Sequence, residues 1–224
     1  MIKLNLLIDG VDRIINIKNV VIAGWTGRNK EAVEHHIQEL AKLGVARPST
    51  VPCFYRVTVT LLSTASDFQV VGEDSSGEVE YVVFSLPEGL YIGLGSDHTD
   101  RKVEAYGVAV SKQMCPKPIA SQLWKLSEIE DHWDSLVTRS WVVRKGKKIL
   151  YQEGPVSKML TPKDLIAKYT NGLQLPAGSA MFCGTHPVLG DIGGGEIFEI
   201  ELYDPVLNRI IKHEYRTENL EIVD

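Results

Sequence analysis

The sequence predicts an α+β fold that is mostly β, with two or three short helices. Three observations carry this expectation. Segments rich in Val, Ile, Tyr and Phe alternate in polarity along much of the chain, as half-buried strands do. Turns marked by Gly, Ser and Asp separate them at short intervals. Strands and helices do not alternate regularly, so nothing argues for a doubly wound parallel sheet.

The elements follow in order. Residues 3–8 read as a strand, Asp9-Gly10 as a turn, and residues 13–23 as one or two more strands. The run Gly24-Trp25-Thr26-Gly27 breaks the pattern. Residues 31–43 then read as a helix, because Val33, His36, Ile37, Leu40 and Leu43 recur at helical spacing and Gly44 stops them. A loop marked by Pro48 and Pro52 leads to a β stretch over residues 55–62, and the chain stays strand-rich to Asp97. Residues 102–135 have no clear period. Pro116 and Pro118 exclude a regular helix around them, and residues 127–133 look briefly helical. Strands over 136–144 and 148–153 join at Gly146. Residues 161–169 open like a helix, with Thr161 as N-cap and Pro162 at the first helical position. Three strands close the chain, over 180–183, 196–203 and 209–215.

The 224 residues suffice for one large domain with a substantial core. Hydrophobic residues make up 44% and charged residues 24%, both ordinary globular values. A net charge of −5 argues against a nucleic-acid partner. Lys145, Lys147 and Lys148 flank a Gly and read as a solvated hairpin tip. No apolar run is long enough to span a membrane, and the first residues reach Asp9-Gly10 too soon for a signal peptide. Cys53, Cys115 and Cys183 are scattered, with no disulfide framework and no Cys-x-x-Cys pair, so a reduced, cytoplasmic protein is expected.

The most informative chemistry lies in three carboxylates. Glu78 and Glu80 stand two apart in Gly77-Glu78-Val79-Glu80-Tyr81-Val82-Val83-Phe84, a segment with strand character. Residues i and i+2 of a strand share a face. Two glutamates side by side repel, and burying them without a proton or cation is costly. A divalent ion with oxygen ligands removes the conflict. Asp97 follows in the turn Gly95-Ser96-Asp97-His98. The plain alternative is a wet sheet face with solvated carboxylates. On the first helix, His36 and Glu39 are three apart and can touch. A histidine oriented by a carboxylate is a usable general base; His35, about 100° round the helix, competes for that part. Lys112 sits in a stretch otherwise poor in charge and can steady a carboxylate or an oxyanion. A strand ending in Gly184-Thr185 can offer an amide and a hydroxyl to a substrate carboxylate.

The order of these pieces matters more than any one of them. Gly27-Arg28-Asn29, His36-x-x-Glu39 and Pro52-Cys53-Phe54-Tyr55-Arg56 come first. Gly77-Glu78-Val79-Glu80, then Ser96-Asp97 with Arg101, Lys112 and Gly184-Thr185 follow. From about residue 24 to the C-terminus this series resembles the fumarylacetoacetase (fumarylacetoacetate hydrolase) superfamily, as a divergent branch of it. The resemblance implies a mixed β-sandwich roll whose mouth holds one Mg²⁺, Mn²⁺ or Ca²⁺ ion. It implies an N-terminal β-hairpin extension over 1–23 and a catalytic domain over 24–224. By motif position, Glu78, Glu80 and Asp97 would be the metal ligands. His36, Glu39 and Lys112 would be catalytic, and Arg56, Thr185 and Arg101 would contact substrate. The implied activity is metal-assisted chemistry on a small 2-oxo acid or diketo acid through an enolate, ending in C–C bond hydrolysis or decarboxylation. A sugar-acid dehydratase or isomerase on the same site, or a non-catalytic metabolite-binding protein, are the alternatives. Relatives are commonly homodimers, and no nucleic acid or membrane partner is implied. The chain also departs from the pattern. Asn29 is followed by Lys30, the late Gly-Thr-Pro is Gly184-Thr185-His186-Pro187, and His98 stands beside Asp97. His35, His98 or His186 could therefore replace part of the dyad.

Overall fold

The computed structural model describes residues 1–42 and 44–223, so Leu43, the expected last residue of the first helix, lies outside the described residues. Strands β1 (Ile2–Ile8) and β2 (Val11–Ile17) form a hairpin, and β3 (Asn19–Gly24) follows. Helix α1 (Lys30–Lys42) precedes β4 (Cys53–Val57), β5 (Leu62–Ser63), β6 (Asp67–Val71) and β7 (Ser75–Ser76). The long pair β8 (Val79–Leu86) and β9 (Gly89–Ser96) leads through β10 (Thr99–Asp100) into α2 (Arg101–Glu104) and α3 (Val108–Met114). Then come β11 (Lys117–Pro118), β12 (Gln122–Lys125), α4 (Leu126–Ile129), β13 (Val137–Arg144) and β14 (Lys147–Pro155). Helix α5 (Pro162–Thr170), β15 (Ser179–Phe182), β16 (Ile197–Asp204) and β17 (Arg209–Leu220) complete the chain.

Two sheets dominate. An eight-stranded mixed sheet runs β2-β1-β12-β9-β8-β15-β3-β4, and a five-stranded sheet runs β14-β13-β16-β17-β6. The expected mostly-β α+β roll is what the chain builds. The hairpin β1–β2 joins the larger sheet through β1, which pairs parallel with β12. No described helix is long and apolar enough to cross a membrane.

One strand organises both cores. β8 is buried at every position, as a central strand covered on both faces must be. Val79, Tyr81 and Val83 point between the sheets and pack with Val142, Tyr151, Phe198, Ile200 and Tyr215. Val82, Phe84 and Leu86 point into the curl of the larger sheet, with Leu6, Ile17, Ile22 and Phe182. The curl closes tightly at Gly95 on β9, where an added Cβ would lie 2.6 Å from the Phe182 ring.

The element boundaries correct some expectations. The strand expected over 55–62 stops at Val57, and a 3-10 turn takes Val59–Leu61 before β5. The unassigned region holds two short helices, α2 and α3, and the second ends before Pro116. Residues 127–133 divide between α4 and a 3-10 turn over Glu130–Ser135. Thr161 caps α5 as expected, its hydroxyl accepting from the Asp164 amide at 3.2 Å.

Candidate metal centre

The centre sits where β8 begins and β9 ends. Glu80 shares a strand face with Val82 and Phe84, and Glu78 extends that face to the mouth of the curl. The strands are antiparallel, with Val79 opposite Ser96. Asp97 therefore emerges beside Glu78, and its amide donates to the Glu78 carbonyl at 2.9 Å. One carboxylate oxygen from each of Glu78, Glu80 and Asp97 lies within 4.8 Å of the other two. Glu80 and Asp97 are buried and Glu78 is half-buried.

Three cations surround this trio. Lys112, on the buried side of α3, donates to Asp97 Oδ2, to Glu78 Oε2 at 3.3 Å and to Thr99 Oγ1 at 3.2 Å. Arg101 donates to Glu78 Oε1 at 3.0 Å, to Ser76 Oγ at 2.6 Å and to Glu104 Oε2 at 3.2 Å. Lys117 Nζ lies 3.2 Å from Asp97 Oδ1. Burial alone would raise the Glu78 pKa, but Lys112 and Arg101 outweigh it and bring the group down to about 2. Glu80 goes the other way: burial, then the Asp97 and Glu78 charges, hold it well above the usual carboxylate range. Burial disfavours the Lys112 ammonium, yet Asp97, Glu78 and Glu80 prevail and raise its pKa. Burial lowers Lys117, with Asp97 opposing.

The rim is built from loops that touch this cluster. The Gly184 amide donates to Glu80 Oε2 at 2.7 Å. The Thr185 hydroxyl donates to the Val79 carbonyl at 2.7 Å and accepts from Gln152 Nε2 at 2.8 Å. Thr26 Oγ1 donates to the Cys183 carbonyl at 2.9 Å, which ties the loop leading to α1 against the same strand end. His36 Nδ1 lies 3.6 Å from Glu39 Oε2, and His35 Nδ1 lies 3.5 Å from Glu39 Oε1. All three side chains of that helix are exposed, and among the described residues no hydrogen bond or ion pair joins them to the carboxylates. The His36 ring stands 5.8 Å from the Trp25 ring, whose Nε1 reaches the Tyr55 hydroxyl at 3.4 Å.

The structure thus gathers Glu78, Glu80, Asp97, Lys112, Arg101 and Thr185 and leaves Arg56 apart. Arg56 donates to Asn19 Oδ1 at 2.8 Å and Tyr169 Oη at 3.3 Å. It alternates with Tyr55 along β4, so the two side chains leave on opposite faces. His98 does not face the carboxylates. Its ring nitrogens bond Ser75 Oγ at 3.0 Å and Tyr215 Oη at 2.8 Å, and burial, then the Lys117 and Arg101 charges, push its pKa down to about 3. The His186 ring lies against Gly154, its Nε2 without a hydrogen-bond partner among the described residues, and burial followed by Lys158 brings it down to about 4. Sequence reasoning missed Lys117 and Gln152, and it offered the Gly184 amide to a substrate carboxylate where the amide meets Glu80 instead. Lys117 lies between two prolines with no period around it, so nothing in the sequence marks it as buried.

The residues fit a hard divalent cation. All three donors are carboxylates, as Mg²⁺, Mn²⁺ or Ca²⁺ requires. Asp97 Oδ1 is buried and makes no hydrogen bond among the described residues. Glu80 is disfavoured as an anion mainly by its burial and its two acidic neighbours, and a cation relieves both.

Comparisons with known proteins agree with this architecture. The family model described as a protein of unknown function (DUF2848) matches residues 23–215. Among curated proteins nothing matches the chain. The crystal structure of Cg1458 with inhibitor superposes with a TM-score of 0.67 at 16% identity, over 93% of this chain and 81% of that chain. A candidate fumarylpyruvate hydrolase from Burkholderia cenocepacia gives 0.63 at 15% identity, over 96% of this chain and 95% of that one. The 2-keto-3-deoxy-D-arabinonate dehydratase complexed with magnesium and 2,5-dioxopentanoate gives 0.64 at 18% identity, over 94% and 77%. At these identities the likeness is one of fold, and the fold is the fumarylacetoacetase type that the motif order resembles.

Proposed function

The chain belongs to the DUF2848 family, and we propose that it is a divalent-metal-dependent enzyme acting on a small 2-oxo acid or diketo acid through an enolate. The observation that carries this reading is the carboxylate trio, two of its members buried and all within 4.8 Å, with Lys112 against two of them. Glu78, Glu80 and Asp97 would hold Mg²⁺, Mn²⁺ or Ca²⁺. When bound, such an ion supplies Lewis-acid polarisation of a carbonyl oxygen and charge stabilisation for an enolate.

The chain's own residues supply the rest. Lys112 lies beside the ligands, where its ammonium would steady a developing oxyanion. Thr185 has its hydroxyl engaged by Val79, so a substrate carboxylate would meet its main-chain amide. Arg101 would act on substrate through Glu78, which it orients. His36, oriented by Glu39, would move the proton; its ring leans on Trp25, beside the loop tied to the centre, while His35 is the more exposed. Arg56 would reach substrate only if its bonds to Asn19 and Tyr169 were broken. The catalytic unit would span 24–224, and residues 1–23 would extend it within the same sheet, since β1 pairs with β12 and β3 lies between β15 and β4. We place the protein in the cytoplasm as a homodimer, on its three free cysteines and on the habits of fumarylacetoacetase-type enzymes.

The bond broken divides two readings. C–C hydrolysis or decarboxylation follows if the His36–Glu39 pair handles a water or a proton at the distal carbon. Dehydration of a sugar acid uses the same centre without attack by water, and the similarity to a magnesium-complexed dehydratase favours keeping it. The test is a screen of the purified protein with Mg²⁺ and with Mn²⁺ over acylpyruvates, oxaloacetate and 2-keto-3-deoxy sugar acids. Metal-dependent turnover of an acylpyruvate or oxaloacetate supports the first reading, and turnover of sugar acids alone supports the second. No turnover of any class, with metal bound, points to a non-catalytic binding protein.

A further inference from the structure

Lys117 is fully buried on β11. Its Nζ donates to the carbonyls of Lys112 at 2.6 Å, His98 at 2.8 Å and Cys115 at 2.9 Å. An ammonium has three protons, and these three carbonyls, with that of Pro116 at 3.5 Å, surround them. A neutral amine would turn a lone pair on one of those oxygens, so the cage favours the charged form against the burial that lowers its pKa. Asp97 Oδ1 stands 3.2 Å away and makes no hydrogen bond among the described residues. Lys117 therefore acts on that oxygen mainly through its charge.

Asp97 is thus held between two ammonium groups, Lys112 on Oδ2 and Lys117 on the side of Oδ1. Arg101 is matched by Glu104. Two lysines then face three carboxylates. With a divalent ion in place the centre carries a net positive charge, which one anionic group on a ligand neutralises. Without Lys117 the loaded centre would be neutral.

We propose that Lys117 is a fixed positive charge of the centre that loosens its hold on the divalent ion and gives the loaded centre its affinity for a carboxylate-bearing, anionic ligand. This rests on Glu78, Glu80 and Asp97 being the metal ligands. It assigns Lys117 a positioning part, because its ammonium is taken up by backbone carbonyls. The consequence is a pair of opposite effects, since a charge that repels the cation attracts the anion.

The test uses Lys117→Gln, whose amide still donates to the cage, and Lys117→Met. Calorimetry first titrates Mn²⁺ into each protein, then oxalate into the Mn²⁺-saturated form. Mn²⁺ affinity should rise about tenfold and oxalate affinity fall about tenfold relative to wild type. A structural part for Lys117 would weaken both together; that outcome, or no change in either, overturns the proposal. Wild-type protein labelled with ¹⁵N at lysine Nζ covers the case in which neither variant keeps the wild-type circular dichroism. Two exchange-protected ammonium signals, from Lys112 and Lys117, should both move on adding Mg²⁺. A single protected signal, or a second one that Mg²⁺ leaves in place, overturns the proposal. If wild type binds no Mn²⁺, the metal assignment itself falls, which is a distinct result.

Discussion

At Gly184 the backbone adopts a φ of +98°, and an added Cβ would lie 1.8 Å from Thr26 Oγ1. The same residue's amide is the partner of Glu80 Oε2. Gly184→Ala should therefore destabilise the fold by on the order of 2–4 kcal/mol, from left-handed strain and overpacking together. Urea unfolding measures it, and a loss under about 0.5 kcal/mol would contradict the placement. His186 gives a pH signature. The folded protein holds it near 4, while the unfolded chain titrates near its ordinary 6.5. Between those values the unfolded state binds more protons, so this contribution is full above about pH 6.5 and is lost as pH falls through 4. His186→Gln should flatten the stability profile in that window by up to about 1.4 kcal/mol per pH unit. Parallel profiles for the two proteins would show that His186 titrates normally. At this scale the sequence was uneven as a guide. Glu78, Glu80 and Asp97 are legible because Glu-x-Glu before an apolar run has a meaning in a strand. Lys117 is not, because burial of a lysine depends on carbonyls from distant turns.

Among the elements, β8 reads most clearly. A run of Val, Tyr and Phe long enough to be buried on both faces leaves few other structures open to it. Helix α5 is legible for a different reason: Thr161 and Pro162 form a start signal that needs no tertiary context. Helices α2 and α3 are not legible, since four and seven residues are too few to establish a 3.6-residue period. That cost matters, because α3 is the element that delivers Lys112. The stretch after Val57 misleads because Thr and Val suit strands, yet a 3-10 turn intervenes at Val59–Leu61. Helix α1 buries only Ile37 among its described residues and touches the carboxylates through no polar bond. Its His36 should therefore matter to turnover and not to metal binding. His36→Ala should lower kcat by about a hundredfold or more and leave the Mn²⁺ affinity unchanged. An equal loss in His35→Ala, with His36→Ala active, would move the proton-transfer part to the neighbouring ring.

For the whole molecule, the candidate metal centre joins the start of β8 and the end of β9 to the loop at Gly184 and to α2 at Arg101. A ligand that binds there binds only the folded chain, so it must stabilise the fold. At a hundredfold excess over its Kd, Mg²⁺ or Mn²⁺ should raise Tm by about 5–10 °C. A scan showing no rise at any concentration would contradict a site confined to the native state. The overall architecture was readable from sequence because the order of weak motifs survives even where each motif has drifted. The placement of Arg56 was not, because motif position gives a place along β4 and not which face of it the side chain leaves. The central claim is that three carboxylates from the β8–β9 end form one divalent-cation site. Calorimetric titration of Mn²⁺ into wild type and Glu80→Gln tests it most directly. The expected result is binding at one ion per chain in wild type and an affinity lower by at least about tenfold in the variant, with unchanged circular dichroism. Equal affinity in the two proteins, or no binding to wild type, would contradict it.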